Sequence, residues 1–251
     1  MGTTVQVKTA GTVFQVVEAL IRREGATFPE LVDHLDMAKS TVYDYIQTLE
    51  ELGYVTRRDG AYHASLRFLE VGEQVRHQMD TYRIVRPEVD RLAEVTGEHS
   101  SFEVEENAGA VMLCSASGGD AVTIDAYDGN RTPMAVTAPG KLILAHKSDA
   151  EVAAHVETHG LPAYTDESIT DREELHRELE EIRRQGYASD EGEIRRGVTN
   201  VSVPVITRGD LRGALTVTGP TRRITDDRIQ EELLVYLHES ANVVELGLVN
   251  G

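Results

Sequence analysis

The 251-residue chain has no tryptophan, one cysteine and only four lysines. A single cysteine, Cys114, excludes internal disulfides and multi-cysteine metal cages. The longest charge-free apolar run, residues 108–114, is far shorter than the roughly 20 residues that cross a bilayer. Residues 1–11 contain no apolar core of a secretory signal. We therefore expect a soluble, cytoplasmic protein that makes no contact with membranes.

Acidic residues outnumber basic ones by 43 to 25, which gives a net charge of −18. Because arginine supplies nearly all of the basic residues, the composition is typical of proteins from a salt-rich cytoplasm, where ions screen self-repulsion. We therefore predict an origin in a halophilic archaeon; the alternative is an ordinary acidic protein of a mesophile. The acidic excess also argues against nucleic-acid binding by bulk charge, so any such role must depend on local pattern.

Residues 1–66 contain three segments whose apolar residues recur with helical spacing, followed by a predicted hairpin. Apolar residues at positions 13, 16, 17, 20 and 21 form one face of a first helix, and Thr12 with Gln15 fits a capping box at its start. Thr27 with Glu30 fits a second capping box, which opens the next helix. The apolar period over positions 42–52 predicts a third helix that ends at Gly53. Two helices joined by about three residues are typical of a helix-turn-helix.

The hairpin completes a winged helix-turn-helix. Two strand-like segments, residues 54–58 and 61–63, flank Asp59-Gly60, a pair that suits a two-residue type I′ turn. We therefore predict a DNA-binding domain over residues 8–66, whose third helix enters the major groove while the wing contacts phosphate or the minor groove. The candidate DNA-binding residues are Lys39, Ser40, Thr41, Tyr43, Asp44, Gln47, Arg57 and Arg58.

The charge of this segment does not by itself favour DNA. Residues 1–66 contain six basic and nine acidic side chains, a net charge of −3. Phosphate must therefore be neutralised by a few well-placed residues. Because helix-turn-helix modules also bind proteins, the alternative hypothesis is a metabolite-sensing adaptor whose winged helix binds protein rather than DNA.

The rest of the chain predicts a linker helix and a second domain. An amphipathic linker is expected over residues 67–81 and the second domain over residues 82–251. Strands mixed with segregated helices predict an α+β fold, a sheet with helices packed on it. Strand-like alternation occurs at 99–106, 110–115, 121–127, 199–206 and 211–218, and helical periods occur at 82–96, 140–147, 149–159, 171–185 and 225–248.

Several of these segments resemble IclR-type transcriptional regulators. Residues 39–55, KSTVYDYIQTLEELGYV, resemble the family's recognition helix and wing entry, and residues 60–72 its wing exit and linker helix. Residues 131–141, 186–205 and 213–220 resemble the loop before a short helix, the pocket strand and the strand that follows it. The resemblance covers nearly the whole chain with its motifs in order. It implies a C-terminal mixed α/β effector-binding domain with a GAF-like sheet and flanking helices, which also mediates oligomerisation.

The resemblance implies that the second domain binds a small effector rather than catalysing a reaction. A loop that turns into a helix at Gly140 would offer unpaired amides to a carboxylate. Pro139 stands where relatives often have a residue with a free amide, and Asn200 stands where many carry cysteine. These departures, together with Asp190, favour a polyhydroxylated acid or sugar derivative. Carried over position by position, the effector contacts are Ala138, Pro139, Asp190, Val198, Asn200, Thr216 and Thr218. The alternative is that Thr216 and Thr218 only line a strand and that Asp190 caps a turn.

Motifs of other chemistries are incomplete. Neither Ser115 nor Ser117 lies in a G-x-S-x-G elbow, and Lys141 is not followed by the Ser or Thr of a phosphate-binding loop. His155 and His159 have i, i+4 spacing but no evident third metal ligand. We therefore expect no catalytic residue, no metal and no cofactor. An enzyme with a vestigial DNA-binding domain is the third hypothesis.

Together these features predict a ligand-responsive transcriptional regulator, acting as repressor, activator or both, of genes for the use of a carbon source. Its expected effector is a small carboxylate or sugar acid. Because one winged helix reads one half-site, useful affinity needs a homodimer or homotetramer on a pseudo-palindromic double-stranded DNA site. The linker helix and the second domain are the expected surfaces between copies. Effector binding would then change the spacing of paired recognition helices.

Overall fold

The computed structural model describes residues 6–123 and 126–250. They form two compact units that divide between Gln78 and Met79. The elements of the first unit are, in chain order, α1 (Lys8–Arg22), α2 (Phe28–Leu35), α3 (Lys39–Glu51), β1 (Val55–Arg58), β2 (Ala61–Ala64) and α4 (Arg67–His77).

Of the two predicted capping boxes, only the second forms. Glu30 Oε2 accepts hydrogen bonds from the backbone N–H and the hydroxyl of Thr27, each at 2.7 Å, at the start of α2. The capping box predicted for the first helix is wrong, because α1 already begins at Lys8 and contains Thr12. The Thr12 hydroxyl donates to the Lys8 carbonyl at 3.1 Å, the i−4 bond that threonine makes inside a helix.

The hairpin is joined to the helices by a short bridge. The N–H of Ala26 donates to the Tyr62 carbonyl at 2.9 Å, and the N–H of Tyr62 donates back at 2.8 Å. At the hairpin tip, Asp59 and Gly60 have φ of 51° and 83°, which confirms the predicted type I′ turn. Helices and hairpin surround one apolar core, whose fully buried members include Val16, Leu20, Leu31, Val42, Ile46, Leu49, Val55 and Tyr62.

Helix α4 is shorter than the predicted linker of residues 67–81. It ends at His77, and α5 starts at Asp80 after Met79 takes an extended conformation that breaks the helix. Every residue of α4 lies within the described chain, and none of them is buried.

The second unit contains one antiparallel sheet with helices on it. The elements are α5 (Asp80–Thr96), β3 (His99–Glu106), β4 (Gly109–Ser117), β5 (Arg131–Pro133), a 3₁₀ turn (Met134–Val136), α6 (Ala138–Ala145), α7 (Asp149–His159), α8 (Arg172–Gln185), β6 (Ala188–Glu191), β7 (Val198–Thr207), β8 (Asp210–Pro220), α9 (Asp226–Arg228), a π-helical turn (Ile229–Leu233) and α10 (Leu234–Asn250). The strands of the sheet run in the order β5-β4-β3-β8-β7-β6. No helix among the described residues has both the length and the apolar character needed to cross a membrane.

The two faces of the sheet differ in polarity because side chains alternate along each strand. One face is apolar: Phe102, Val201 and Val217 pack with residues of α5 and α10 in one core. The opposite face carries polar side chains such as Ser101 and Thr216 on the same strands, and α6, α7 and α8 form a second apolar cluster with the alanines of this side. The predicted α+β architecture is confirmed.

The strand predicted over residues 121–127 is wrong. Residues 121–123 and 126–127 have no strand conformation, and residues 124 and 125 lie outside the described chain. The reason is competition for the edge of β4, which pairs with β5 along residues 109–111. At Met112 the same edge bonds Asn130 and Gly129 at 2.9 and 2.7 Å.

Candidate ligand pocket and DNA-binding surface

A cavity of about 400 Å³ lies on the polar face of the sheet. Its walls come from the sheet, from the start of α6 and from the hairpin between β6 and β7. Uncharged polar side chains and apolar side chains line it in nearly equal numbers, and two charged residues complete the lining. The lining residues are Ser101, Glu103, Ala110, Met112, Ala126, Asn130, Thr132, Thr137, Pro139, Ile194, Arg195, Val198, Asn200, Thr216 and Thr218.

Glu103 places a carboxyl group inside this cavity. The residue is only 4% exposed, and its Oε2 accepts a hydrogen bond from Thr216 Oγ1 at 2.7 Å. Ser202 Oγ lies 2.9 Å from the same threonine hydroxyl. Burial raises the pKa of the Glu103 carboxyl to about 7, although hydrogen bonds from Ser101 and Thr216 oppose the rise. The group therefore titrates near neutral pH.

A second polar chain crosses the cavity wall from Thr218 to Asp190. Thr218 Oγ1 donates to Asn200 Oδ1 at 2.6 Å, and Asn200 Nδ2 donates to Asp190 Oδ2 at 2.9 Å. The register places Asn200 opposite both Asp190 and Thr218 on the neighbouring strands. Each group is thereby oriented by the next, so the polar surface presented to a ligand is fixed in advance.

The amides at the start of α6 are already occupied. Ala138 N–H donates to Asp190 Oδ2 at 2.6 Å, and Gly140 N–H donates to Thr137 Oγ1 at 3.2 Å. Pro139 has no N–H to donate. The prediction of unpaired amides for a ligand carboxylate is therefore wrong: α6 begins at Ala138 rather than Gly140, and the chain's own Asp190 carboxyl fills the position.

Behind Asp190 lies a buried charge cluster centred on Lys141. The Lys141 ammonium is 1% exposed and bonds Glu193 Oε1 at 2.5 Å and Glu178 Oε1 at 2.9 Å. Burial acts to lower the pKa of Lys141, but the two carboxylates hold it above its usual value. Burial raises the pKa of Asp190 to about 7 despite the nearby lysine and the donors on Ala138 and Asn200. The cluster ties α6, α8 and the β6–β7 hairpin together.

The predicted effector residues fall into two groups. Pro139, Val198, Asn200, Thr216 and Thr218 line the cavity, whereas Ala138 and Asp190 lie behind it and bond each other. Sequence reasoning missed Glu103 and Arg195. The signal that could have found Glu103 is strand alternation, because the neighbouring position 102 is apolar and therefore faces the core.

Six of the eight predicted DNA-binding residues are exposed in the first unit. Lys39, Ser40, Tyr43 and Asp44 are exposed along α3, and Arg57 and Arg58 are exposed on the wing, whereas Thr41 and Gln47 are half-buried. The first turn of α3 has neither a side-chain cap nor an acidic residue. Tyr43 is held edge-on against Phe28 with ring centroids 6.2 Å apart. The Arg57 guanidinium lies 5.4 Å above the ring of Tyr62.

Two further features of the sequence are the histidine pair on α7 and the single cysteine. The imidazole centroids of His155 and His159 lie 4.7 Å apart, but the described residues contain no group of three or more ligands that could hold a metal ion. Cys114 is fully buried in the apolar core, as expected of a small hydrophobe.

Comparison with known families accounts for both units. The model of the "IclR helix-turn-helix domain" matches residues 12–59, and that of "Bacterial transcriptional regulator IclR C-terminal" matches residues 73–246. The chain belongs to the IclR family of transcriptional regulators. The resemblance inferred from the sequence is therefore confirmed, and family membership assigns the chain to transcriptional regulators with a helix-turn-helix.

Similar IclR-family proteins cover the chain almost end to end. It is 28% identical to the probable regulator ArcR of Halobacterium salinarum, over 93% of this chain and 91% of that protein. It is 29% identical to the regulator KdgR of Escherichia coli, over 92% of this chain and 89% of that protein. An IclR homologue from Microbacterium hydrocarbonoxydans complexed with 4-hydroxybenzoate superposes with a TM-score of 0.83 at 25% identity, over 97% of this chain and 100% of that structure.

Proposed function

We propose that this IclR-family protein is a ligand-responsive, DNA-binding regulator of genes for the use of a carbon source. Its effector is a small organic acid that carries several hydroxyl groups. The observation that carries the proposal is the presence, in one chain, of an exposed recognition helix and a cavity with a preorganised polar lining. A sensor of this kind requires one site for each of its two partners.

On DNA, α3 lies in the major groove. Its base-reading side chains are Lys39, Ser40, Thr41, Tyr43, Asp44 and Gln47, and the uncapped first-turn amides of this helix face phosphate. Arg57 and Arg58 of the wing hold the DNA backbone. Since these few cations must offset a net charge of −3 over residues 1–66, the acidic side chains other than Asp44 point away from the duplex.

In the effector domain, the cavity lining favours hydroxyl-rich ligands. Asn200, Thr216 and Thr218 contact the effector directly, with Pro139 and Val198 as apolar walls. Ala138 and Asp190 act from behind by orienting the Asn200 amide. A purely aromatic acid would cover these polar groups without offering the additional hydrogen bonds that a ligand hydroxyl can make to them.

Two copies of the chain bind a pseudo-palindromic operator, and the effector changes how the paired recognition helices are spaced. This arrangement makes the coupling reciprocal: the effector alters the affinity for DNA by the same factor by which DNA alters the affinity for the effector. The acidic composition, together with a relative from Halobacterium salinarum, supports work in concentrated salt. Counterion release then contributes less to affinity, so base contacts contribute more.

The decisive experiment is footprinting of the full-length protein on its own upstream region in molar potassium chloride. We expect a protected inverted repeat whose half-sites are about one helical turn apart or a multiple of it. A matched variant, Tyr43→Ala, should lose this protection while its circular dichroism spectrum stays unchanged. If a folded, oligomeric protein protects no site there, a genome-wide pull-down of bound DNA follows. Recovery of protein partners without DNA would support the adaptor hypothesis instead.

A further inference from the structure

We propose that the cavity binds a polyhydroxylated monocarboxylate in one orientation, with hydroxyl groups against Glu103 and the carboxylate against Arg195. This inference rests on the proposed function, because it assigns an orientation to the effector of the same site. It starts from the two charged side chains in the described lining of the cavity, which lie in very different environments.

Glu103 forms the inner end of the cavity. It is buried, and among the described residues no cation forms an ion pair with it. The groups that contact its carboxyl are uncharged hydroxyls, of which Thr216 donates to Oε2 at 2.7 Å. A carboxyl in such a place prefers a ligand group that donates a hydrogen bond. It rejects a second carboxylate, since two buried like charges without a counter-ion repel strongly.

Arg195 forms the outer end. Its side chain is exposed and lines the cavity, and no described residue forms an ion pair with its guanidinium, whereas the adjacent Arg196 pairs with Asp166. A free guanidinium at the edge of a polar cavity is suited to a carboxylate, which it binds through two parallel hydrogen bonds.

The segment that carries Arg195 is held in place from both sides. The carbonyl of Gly192 accepts a hydrogen bond from Thr165 Oγ1 at 2.7 Å, and that of Glu193 accepts one from Ser168 Oγ at 2.6 Å. The Glu193 side chain bonds the buried Lys141 ammonium. Because this backbone is fixed before any ligand arrives, less ordering cost is incurred on binding.

Thr216 contacts the Glu103 carboxyl, Thr218 follows two residues further along β8, and Asn200 lies opposite Thr218 on β7. Their hydroxyl and amide groups line the cavity and suit a chain of ligand hydroxyls. The ordering of charged and neutral groups along the cavity therefore distinguishes three ligands with the same six-carbon chain. Glucitol has no carboxylate for Arg195, gluconate has one, and glucarate has a second one that must face Glu103. Gluconate is the ligand of the three that satisfies both ends.

The test is isothermal titration calorimetry of the full-length protein with these three compounds at pH 8, where Glu103 is mostly ionised. We expect gluconate to bind at least about fivefold more tightly than either alternative, because it adds the charge-assisted hydrogen bonds to Arg195 relative to glucitol and avoids the repulsion from Glu103 relative to glucarate. Arg195→Ala should abolish the preference over glucitol and keep that over glucarate. Glu103→Gln should do the reverse. The control variants Arg196→Ala and Glu105→Gln, whose positions do not line the cavity, should retain both preferences.

Several outcomes overturn the inference. Equal loss of both preferences in either variant contradicts the assigned orientation, as does a gluconate affinity that Arg195→Ala leaves unchanged. Binding of none of the three compounds by a protein that still protects its operator rejects this ligand class but not the regulator. Intact binding of gluconate by a protein that neither protects an operator nor recovers DNA in the genome-wide pull-down instead rejects the DNA-binding role, and the two variants still decide the orientation.

Discussion

Asp190 caps helix α6 from 52 residues away: its Oδ2 accepts the N–H of Ala138 at 2.6 Å, at the helix terminus where an anion is favoured. The same oxygen accepts the amide of Asn200 at 2.9 Å, so one carboxyl joins the helix to the strand that lines the cavity. A ligand carboxylate cannot use this terminus while Asp190 remains there. The first amide of α6 is thus occupied by a carboxyl group of the chain itself.

Asp190→Ala should lower the free energy of unfolding by about 2–4 kcal/mol. The substitution leaves the buried N–H of Ala138 and the amide of Asn200 without an acceptor, and each unsatisfied donor costs about 1–3 kcal/mol. Asp190→Asn keeps an oxygen for both donors and should cost no more than about 1 kcal/mol. Urea unfolding in molar potassium chloride, followed by circular dichroism because the chain has no tryptophan, measures both values. Equal costs for the two variants would show that the hydrogen bonds do not matter.

Glu103 should make stability depend on pH near neutrality. Its pKa is about 7 in the folded protein, against a usual value of 4.5. Between these values the folded state binds more protons than the unfolded state, so the free energy of unfolding falls as pH rises from about 5 to 7.5 and then levels off. Glu103→Gln removes this contribution of Glu103. The unfolding free energy of the variant minus that of the wild type should therefore rise by up to about 3 kcal/mol between pH 5 and pH 8.

Asp190 titrates in the same direction, because burial also raises its pKa to about 7. The quantity to measure for Glu103 is therefore the difference between wild type and Glu103→Gln at each pH, in which the shared contribution of Asp190 cancels. A difference that does not change between pH 5 and pH 8 would mean that Glu103 is not buried as an ionisable group.

The local elements were predictable because their signals are local. Strand β3 and helix α7 occupy the predicted residues 99–106 and 149–159, since alternation and helical periodicity are continuous there. The short strands β5 and β6 were not predicted, because three or four residues are too few to show an alternation of polar and apolar side chains. The strand predicted over 121–127 failed for a different reason: alternation shows that a segment can pair, but not whether an edge is free.

The candidate site was predictable only in part. Asn200, Thr216 and Thr218 were identified through family resemblance and line the cavity. The hydrogen bond between Ala138 and Asp190 joins residues 52 positions apart in the sequence. Local sequence patterns do not show which distant residues come into contact, so this bond could not be predicted. Glu103 was overlooked because a lone acidic residue in a strand is usually solvated. Its burial depends on α6 and the β6–β7 hairpin covering that face of the sheet.

Gly140 should be intolerant of a side chain. A Cβ at this position would lie 2.4 Å from the Met134 carbonyl oxygen and 2.5 Å from its Cα, both of them backbone atoms that cannot rotate away. Gly140→Ala should therefore cost about 3 kcal/mol or more of unfolding free energy, or shift α6 away from the cavity. Gly119→Ala is the matched control, because nothing lies within 4 Å of its added methyl group. Equal melting temperatures for the two variants would contradict the close packing at α6.

The wing and the recognition helix should fail in different ways when mutated. Arg57→Ala with Arg58→Ala removes phosphate contacts, so it should weaken binding to operator and to scrambled DNA alike and reduce the slope of log affinity against log salt by about 1 for each contact. Ser40→Ala, Thr41→Val or Tyr43→Ala should instead alter the order of preference among operator variants while leaving that slope unchanged, because base contacts carry sequence information and release few counterions. Fluorescence anisotropy across a potassium chloride series measures both quantities on the same DNA set. If both groups of variants lost specificity to the same extent, the assignment of α3 to base reading and of the wing to phosphate would be untenable, and the eight predicted contacts would have to be redistributed over another surface of the first unit.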